Sequence, residues 1–253
     1  MERERGVVVF EAVRALAAAG EYLDRVPGVA AVSRTGPGEY QRTAEGGYRR
    51  LYRRGTPEFL QARQAGLRGR LPALVPAPAV VVEEAERVIG CRLPPLLRRL
   101  YLEVGNGGFG PGSGIFGLTD GHRDDDRGWT ALDWYRQAHG TPSSYWSFLP
   151  ASLLPLCLWG CAIYSLTDCA DPEGPMWGWD PNPGPDGMEA LFKQPLTLAQ
   201  WLDRWVSGNL HQPTLVRDPV TQEWRGATDD EYAQRVAELA DQAARLRRSL
   251  WPT

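Results

Sequence analysis

Apolar positions first recur at helical spacing over residues 7–26, where Val9, Val13, Leu16 and Leu23 form one stripe that Pro27 ends. From Ser33 to Gly47 the chain is rich in Gly, Arg and Glu and reads as loop. Tyr48 to Arg54 and Pro57 to Leu67 predict two short helices, and Pro72, Pro76 and Pro78 mark a linker, placing a boundary near residue 76. Val80, Val81, Ala85, Val88 and Ile89 then predict a helix over 79–89, with Glu83, Glu84 and Glu86 facing outward. Leu93-Pro94-Pro95 opens a second helix through Leu97, Leu100, Tyr101 and Val104, since proline is tolerated in a first turn. Gly105 and Asn106 supply a left-handed stop.

Seven glycines between Gly105 and Gly117 predict a loop, from which Ile115 to Leu118 emerges as a strand. After a polar stretch, Leu132, Trp134 and Tyr135 restore helical spacing over 129–137. Short apolar runs at 153–159, 162–167, 176–179 and 189–192, separated by turn residues, read as an antiparallel meander. Thr197 caps a helix from Leu198 to about Leu210. A hairpin turning at Asp218-Pro219 follows, and Thr228 with Glu231 forms a capping box that opens a last helix through Tyr232, Val236 and Leu239.

Charge sharpens this division. The net charge is −3, yet residues 34–75 carry nine arginines against three acids while residues 76–211 carry nine basic against sixteen acidic side chains. Of 28 basic residues only Lys193 is a lysine, as the codon bias of a high-GC bacterial genome would produce, so arginine counts overstate function. No window approaches the roughly 18 apolar residues a membrane span needs, and Glu11 and Arg14 interrupt the first apolar run before it reaches signal-peptide length. The expectation is a cytoplasmic protein whose four cysteines are reduced thiols.

The residues at the joints carry a resemblance. Glu86 to Gly90, Leu93-Pro94-Pro95, Leu100-Tyr101 and Asn106-Gly107-Gly108 precede Leu154-Pro155-Leu156, Gly160-Cys161, Tyr164, Asp168, Glu173-Gly174 and Trp201-Leu202. This ordered set, over about residues 79–210, resembles the SUKH superfamily, which includes the fungal cell-wall synthesis regulator domain. The resemblance implies an α+β domain with two leading helices, a central antiparallel meander and a closing helix. Residues 1–75 and 212–253 would be helical extensions outside it. It further implies a domain without a known catalytic centre that holds a protein partner. Many bacterial members are immunity proteins that neutralise secreted toxins, often nucleases.

Other chemistries fit less well. The glycine loop follows a helix and opens a strand, the reverse of a dinucleotide fingerprint, and no Gly-Lys-Ser/Thr is present for a Walker loop. Cys157, Cys161 and Cys169 lack the usual two-residue ligand gap, and Asp120 with Asp124 to Asp126 lacks the central glycine and distal glutamate of a calcium loop. Ser113 lacks the nucleophile elbow, and His122, His139 and His211 have no nucleophile beside them. No cofactor, metal or catalytic residue is expected. Direct nucleic-acid binding through Tyr48, Tyr52 and the arginines around them is disfavoured, because the whole chain is acidic and carries no reading motif.

The expected function is therefore a non-enzymatic protein-binding module, of immunity type and facing a basic toxin domain. An intracellular scaffold or regulatory adaptor is the alternative, and an unrecognised hydrolase is third. Binding residues concentrate on loops, which selects Asn106, Asp120, Asp124, Asp125, Asp126, Asp168 and Glu173. Trp146 and Trp179, which read first as core residues like most of the ten tryptophans, join them as candidate anchors, because tryptophan is enriched at binding hot spots.

Overall fold

The computed structural model describes residues 2–36, 38–140, 146–184 and 187–250. The protein belongs to the α+β class. Its first helix, α1 (Glu2–Ala19), leads into a three-stranded antiparallel sheet of β1 (Arg25–Ala31), β2 (Glu39–Arg42) and β3 (Tyr48–Arg53), in the order β1-β3-β2. Helix α2 (Pro57–Gln64) follows, capped by the Thr56 hydroxyl, which accepts from the Phe59 amide. The short helix expected over residues 48–54 is thus a strand, and β2 lies within the expected loop.

Helices α3 (Ala79–Ile89) and α4 (Pro95–Glu103) stand where the apolar spacing predicts them, with Gly90 at φ +81° ending the first. Ile115 to Leu118 is extended but joins no sheet. It touches the meander through the Phe116 amide, which donates to Leu156 O at 2.6 Å, and through the Phe116 ring, which meets Tyr164 edge-on at 6.5 Å. Helix α5 (Ala131–Gly140) precedes four antiparallel strands in sequence order, β4 (Leu153–Gly160), β5 (Ile163–Asp168), β6 (Pro175–Trp179) and β7 (Leu191–Thr197). Cys161 and Ala162 both take positive φ between Gly160 and Ile163, so β4 and β5 join by a two-residue turn whose handedness matches the sheet twist. Thr197 and Gln200 cap α6 (Leu198–Val206) reciprocally. The hairpin β8 (Leu215–Arg217) and β9 (Trp224–Gly226) then leans on β7, and α7 (Asp229–Leu250) leaves with Val236 and Leu239 exposed.

One core unites α1 with α3 to α6 and the four-stranded sheet. Leu100, Tyr101, Leu156, Tyr164 and Trp201 are buried together in it, as are Val9, Phe10 and Val13 from α1. The proline-rich stretch around residue 76 is pinned rather than loose. Ala77 N donates to Tyr101 O, Asn106 N to Val75 O, and the Tyr22 hydroxyl to Pro72 O. Asp24 links three parts of the chain, accepting from the Trp205 indole at 2.8 Å and from Gly112 N at 3.0 Å. Arg54 stacks on the Trp205 ring and donates to Trp205 O and Val206 O at the end of α6. Residues 1–75 are therefore docked on the following unit. No helix among the described residues is long and apolar enough to cross a membrane.

Candidate functional site

The acidic loop before α5 is built on one buried carboxylate. Asp124 is 3% exposed. One of its oxygens accepts from the Arg127 amide, and the other accepts from the Trp129 amide at 3.2 Å and the Trp134 indole at 3.0 Å. A solvated acid was expected here. The turn that carries Trp129 folds back on Asp124 instead, so its charge is consumed internally. Arg127 lies over both the Trp129 and Trp134 rings. Asp125 and Asp126 remain exposed on the outside of this clamp, and Asp120, at φ +59°, is exposed on the preceding turn.

Beneath the loop the aromatic rings form a continuous stack. Trp134 meets Trp129, Trp146 and Tyr164 edge-on at centroid distances of 5.0, 4.8 and 4.9 Å, and Trp146 meets Trp179 at 4.2 Å. Trp146 and Trp179 are 5% and 2% exposed, so neither offers a face to a partner. The anchor reading is corrected for both: strand pairing sets Trp179 opposite Tyr164, and the stack closes over them. Burial pushes the Tyr164 hydroxyl well above its usual range, and Asp124 and Asp126 add to this while Arg127 opposes it.

Asn106 is structural as well. Its carboxamide accepts from Leu118 N at 2.8 Å and donates to Thr119 O at 3.1 Å, locking the glycine loop to the turn before the acidic loop. At Gly107, φ +75°, a Cβ would lie 2.4 Å from Gly117 N, so backbone contact requires glycine there. The amides of Gly108, Gly110, Gly112 and Ser113 donate to Ile115 O, Tyr22 O, the Asp24 carboxylate and Leu158 O, which turns the loop's donors inward rather than toward an anion.

Asp168 and Glu173 lie elsewhere. Asp168 closes β5 four residues beyond Tyr164, about 13 Å along the strand, and its carboxylate accepts from Ala170 N. Glu173, exposed, borders an apolar groove of about 570 Å3 beside Val7, Pro94 and Leu96. A second groove of about 650 Å3 adjoins it, lined by Cys91, Arg98, Cys169 and Pro172. The nine residues selected from sequence thus form no single patch. Asp120, Asp125 and Asp126 are exposed on the segment before α5, Asp168 and Glu173 lie at the β5–β6 connection, Asn106 is half-buried, and Asp124, Trp146 and Trp179 are buried.

The thiols separate in the same way. Cys157 and Cys169 are buried and Cys91 half-buried, and burial raises all three thiols, with the Asp168 charge adding at Cys91 and Cys169. Cys161 is exposed on the β4–β5 turn. Since the thiolate is the reactive form, a native chain at neutral pH should show one fast thiol toward an alkylating reagent and four after unfolding. Two or more fast thiols in the native chain would contradict this burial. Among the described residues no three His, Cys, Asp or Glu side chains converge to hold a metal ion. No family model, curated protein or solved structure matches the chain.

Proposed function

We propose that this protein is a non-enzymatic binding module that neutralises a cognate toxin, docking a basic surface against the loop that carries Asp120, Asp125 and Asp126. The observation that carries the reading is the Asp124 clamp. It fixes the backbone of the turn that carries the exposed Asp125 and Asp126, which lowers the ordering cost of binding there. The acidic balance of residues 76–211 adds an attraction, screened by salt to within about 10 Å of the surface, toward a nuclease-type partner, which must itself present cations to phosphates. The order of two helices, glycine loop, meander and closing helix agrees with the SUKH resemblance and supports the same reading.

The test uses the partner recovered with the full chain from its native host. Asp125→Asn with Asp126→Asn should slow association about tenfold at low salt and flatten its salt dependence, as expected for charges that steer encounter. The double variant should keep the wild-type unfolding midpoint, because neither side chain is buried. An unchanged rate and salt slope would remove the loop from the interface. A partner that is harmless when expressed without this chain would overturn the immunity role and leave a scaffold.

A further inference from the structure

The strand conformation of residues 48–53 sorts a basic and aromatic segment by face. Side chains alternate along a strand, so Tyr48, Arg50 and Tyr52 share one face of the small sheet. Cross-strand partners share a face as well, and β2 sets Tyr40 opposite Arg50 and Arg42 opposite Tyr48. Three tyrosines and two arginines therefore interleave on one surface, and none of the five is buried. Arg50 lies over the Tyr52 ring at 5.3 Å, and Arg34, from the loop before β2, lies over Tyr40 at 5.7 Å.

The one acid within these three strands is on the other side. Glu39 pairs in register with Leu51 on the opposite face and bridges to Arg25 at 2.9 Å. Glu45, in the β2–β3 turn, is drawn down chiefly by hydrogen bonds to its own backbone and Thr43, with Arg49 of that opposite face also contributing. Arg34, Arg42 and Arg50 make no carboxylate ion pair among the described residues. By contrast, Arg5, Arg63, Arg68, Arg87, Arg98, Arg99 and Arg225 all do.

We propose that this face binds single-stranded nucleic acid, with bases stacked on Tyr40, Tyr48 and Tyr52 and phosphates held by Arg34, Arg42 and Arg50. Every base has a π-face, so stacking on tyrosine needs no sequence reading. Cations between the rings neutralise the backbone that joins successive bases. Tyr48 and Tyr52 stand about 13 Å apart along β3, and β2 lies about 5 Å beside it; Val26 of β1, opposite Tyr52, is fully buried, so the face is open over β2 and β3 and accepts a short extended strand there. An acidic molecule as a whole does not oppose this, because screening confines the field of residues 76–211 to about 8–10 Å.

The purified full chain is titrated into a labelled oligothymidylate and a labelled oligouridylate, with anisotropy read at about 50 and about 200 mM salt. The wild-type chain should bind both, and Tyr48→Ala should weaken binding about tenfold. Tyr48→Phe, which keeps the stacking ring, should bind as wild type. Arg42→Ala with Arg50→Ala should lower the slope of log affinity on log salt by about 0.7 for each guanidinium removed. Arg49→Ala with Arg53→Ala, on the opposite face, should leave the tyrosine dependence intact. Tyr40→Ala on the edge strand serves as a second stacking variant should Tyr48→Ala disturb the sheet by circular dichroism. No binding at the lower salt would overturn the proposal. Affinity that is indifferent to both alanine variants, or is matched by heparin, would reduce the surface to a nonspecific polyanion patch and overturn it equally.

Discussion

Asp124→Ala should destabilise the protein by about 3 kcal/mol or more, since it strips a charged acceptor from three donors in a water-poor site. Its two oxygens satisfy the Arg127 and Trp129 amides and the indole of Trp134, and Trp134 is 1% exposed. Without the carboxylate the Trp134 indole stays buried and unpaired, two part-buried amides lose their acceptor, and Arg127 loses a fixed turn beneath its stacking on Trp129 and Trp134. Asp124→Asn should fall between, because an amide keeps one acceptor oxygen and replaces the other with a donor. Urea unfolding followed by tryptophan fluorescence reads both. Asp125→Ala, one residue away and exposed, is the comparison and should stay within about 0.5 kcal/mol of wild type. Equal losses at positions 124 and 125 would show that the loop is not built on this clamp.

Leu100→Ala should cost about 2–5 kcal/mol, the range for removing a large aliphatic side chain from a packed interior. Leu100 is fully buried on α4, in one cluster with Leu97, Leu156, Tyr164 and Trp201. Beside it the Tyr101 hydroxyl donates to Phe116 O at 2.7 Å, so α4 also holds the extended segment that leads to the acidic loop. Helix α4 packs against α1, α3 and α6, so the walls around Leu100 belong to several elements that cannot all move into the space it leaves. An unfolding midpoint equal to wild type would place Leu100 outside the core.

The central unit was largely legible because its signals agree at several levels. Proline at the start of α4, Gly90 after α3, the Thr197 cap and the alternating runs of the meander each point to the element found. The front third was legible only in part. From Tyr48 to Arg53, period-two spacing and helical spacing fit the same six residues, and arginine favours helix intrinsically. Pairing with β1 and β2 decides the outcome, and that information lies outside the segment. The apparent linker near residue 76 failed for a related reason, since its hydrogen bonds run to Tyr101 and Asn106 far along the chain.

In the candidate site, exposure of Asp125 and Asp126 followed from composition, while the internal role of Asp124 did not. A signal was present. An aspartate followed three residues later by a turn containing Gly128 and then a tryptophan is the spacing at which a carboxylate accepts from its own downstream amides. The burial of Trp179 depended on strand register, which no local pattern encodes, and that of Trp146 on ring contacts with Trp134 and Trp179 from distant parts of the chain.

The front third also bears on how such a chain can be assembled by inheritance. Val9, Phe10 and Val13 fill the core from α1, Phe10 lies under Arg99 of α4, Asp24 accepts from the Trp205 indole, and Arg54 stacks on its ring. A recombination event that swapped residues 1–75 for another leader would leave an apolar trench along α4 and α6, an unbonded Trp205 indole and a glycine loop without its carboxylate. The joint at residue 76 is therefore a poor crossover point despite its prolines. The basic sheet and the acidic loop, opposite in charge and far apart in sequence, are bound to be inherited as one piece.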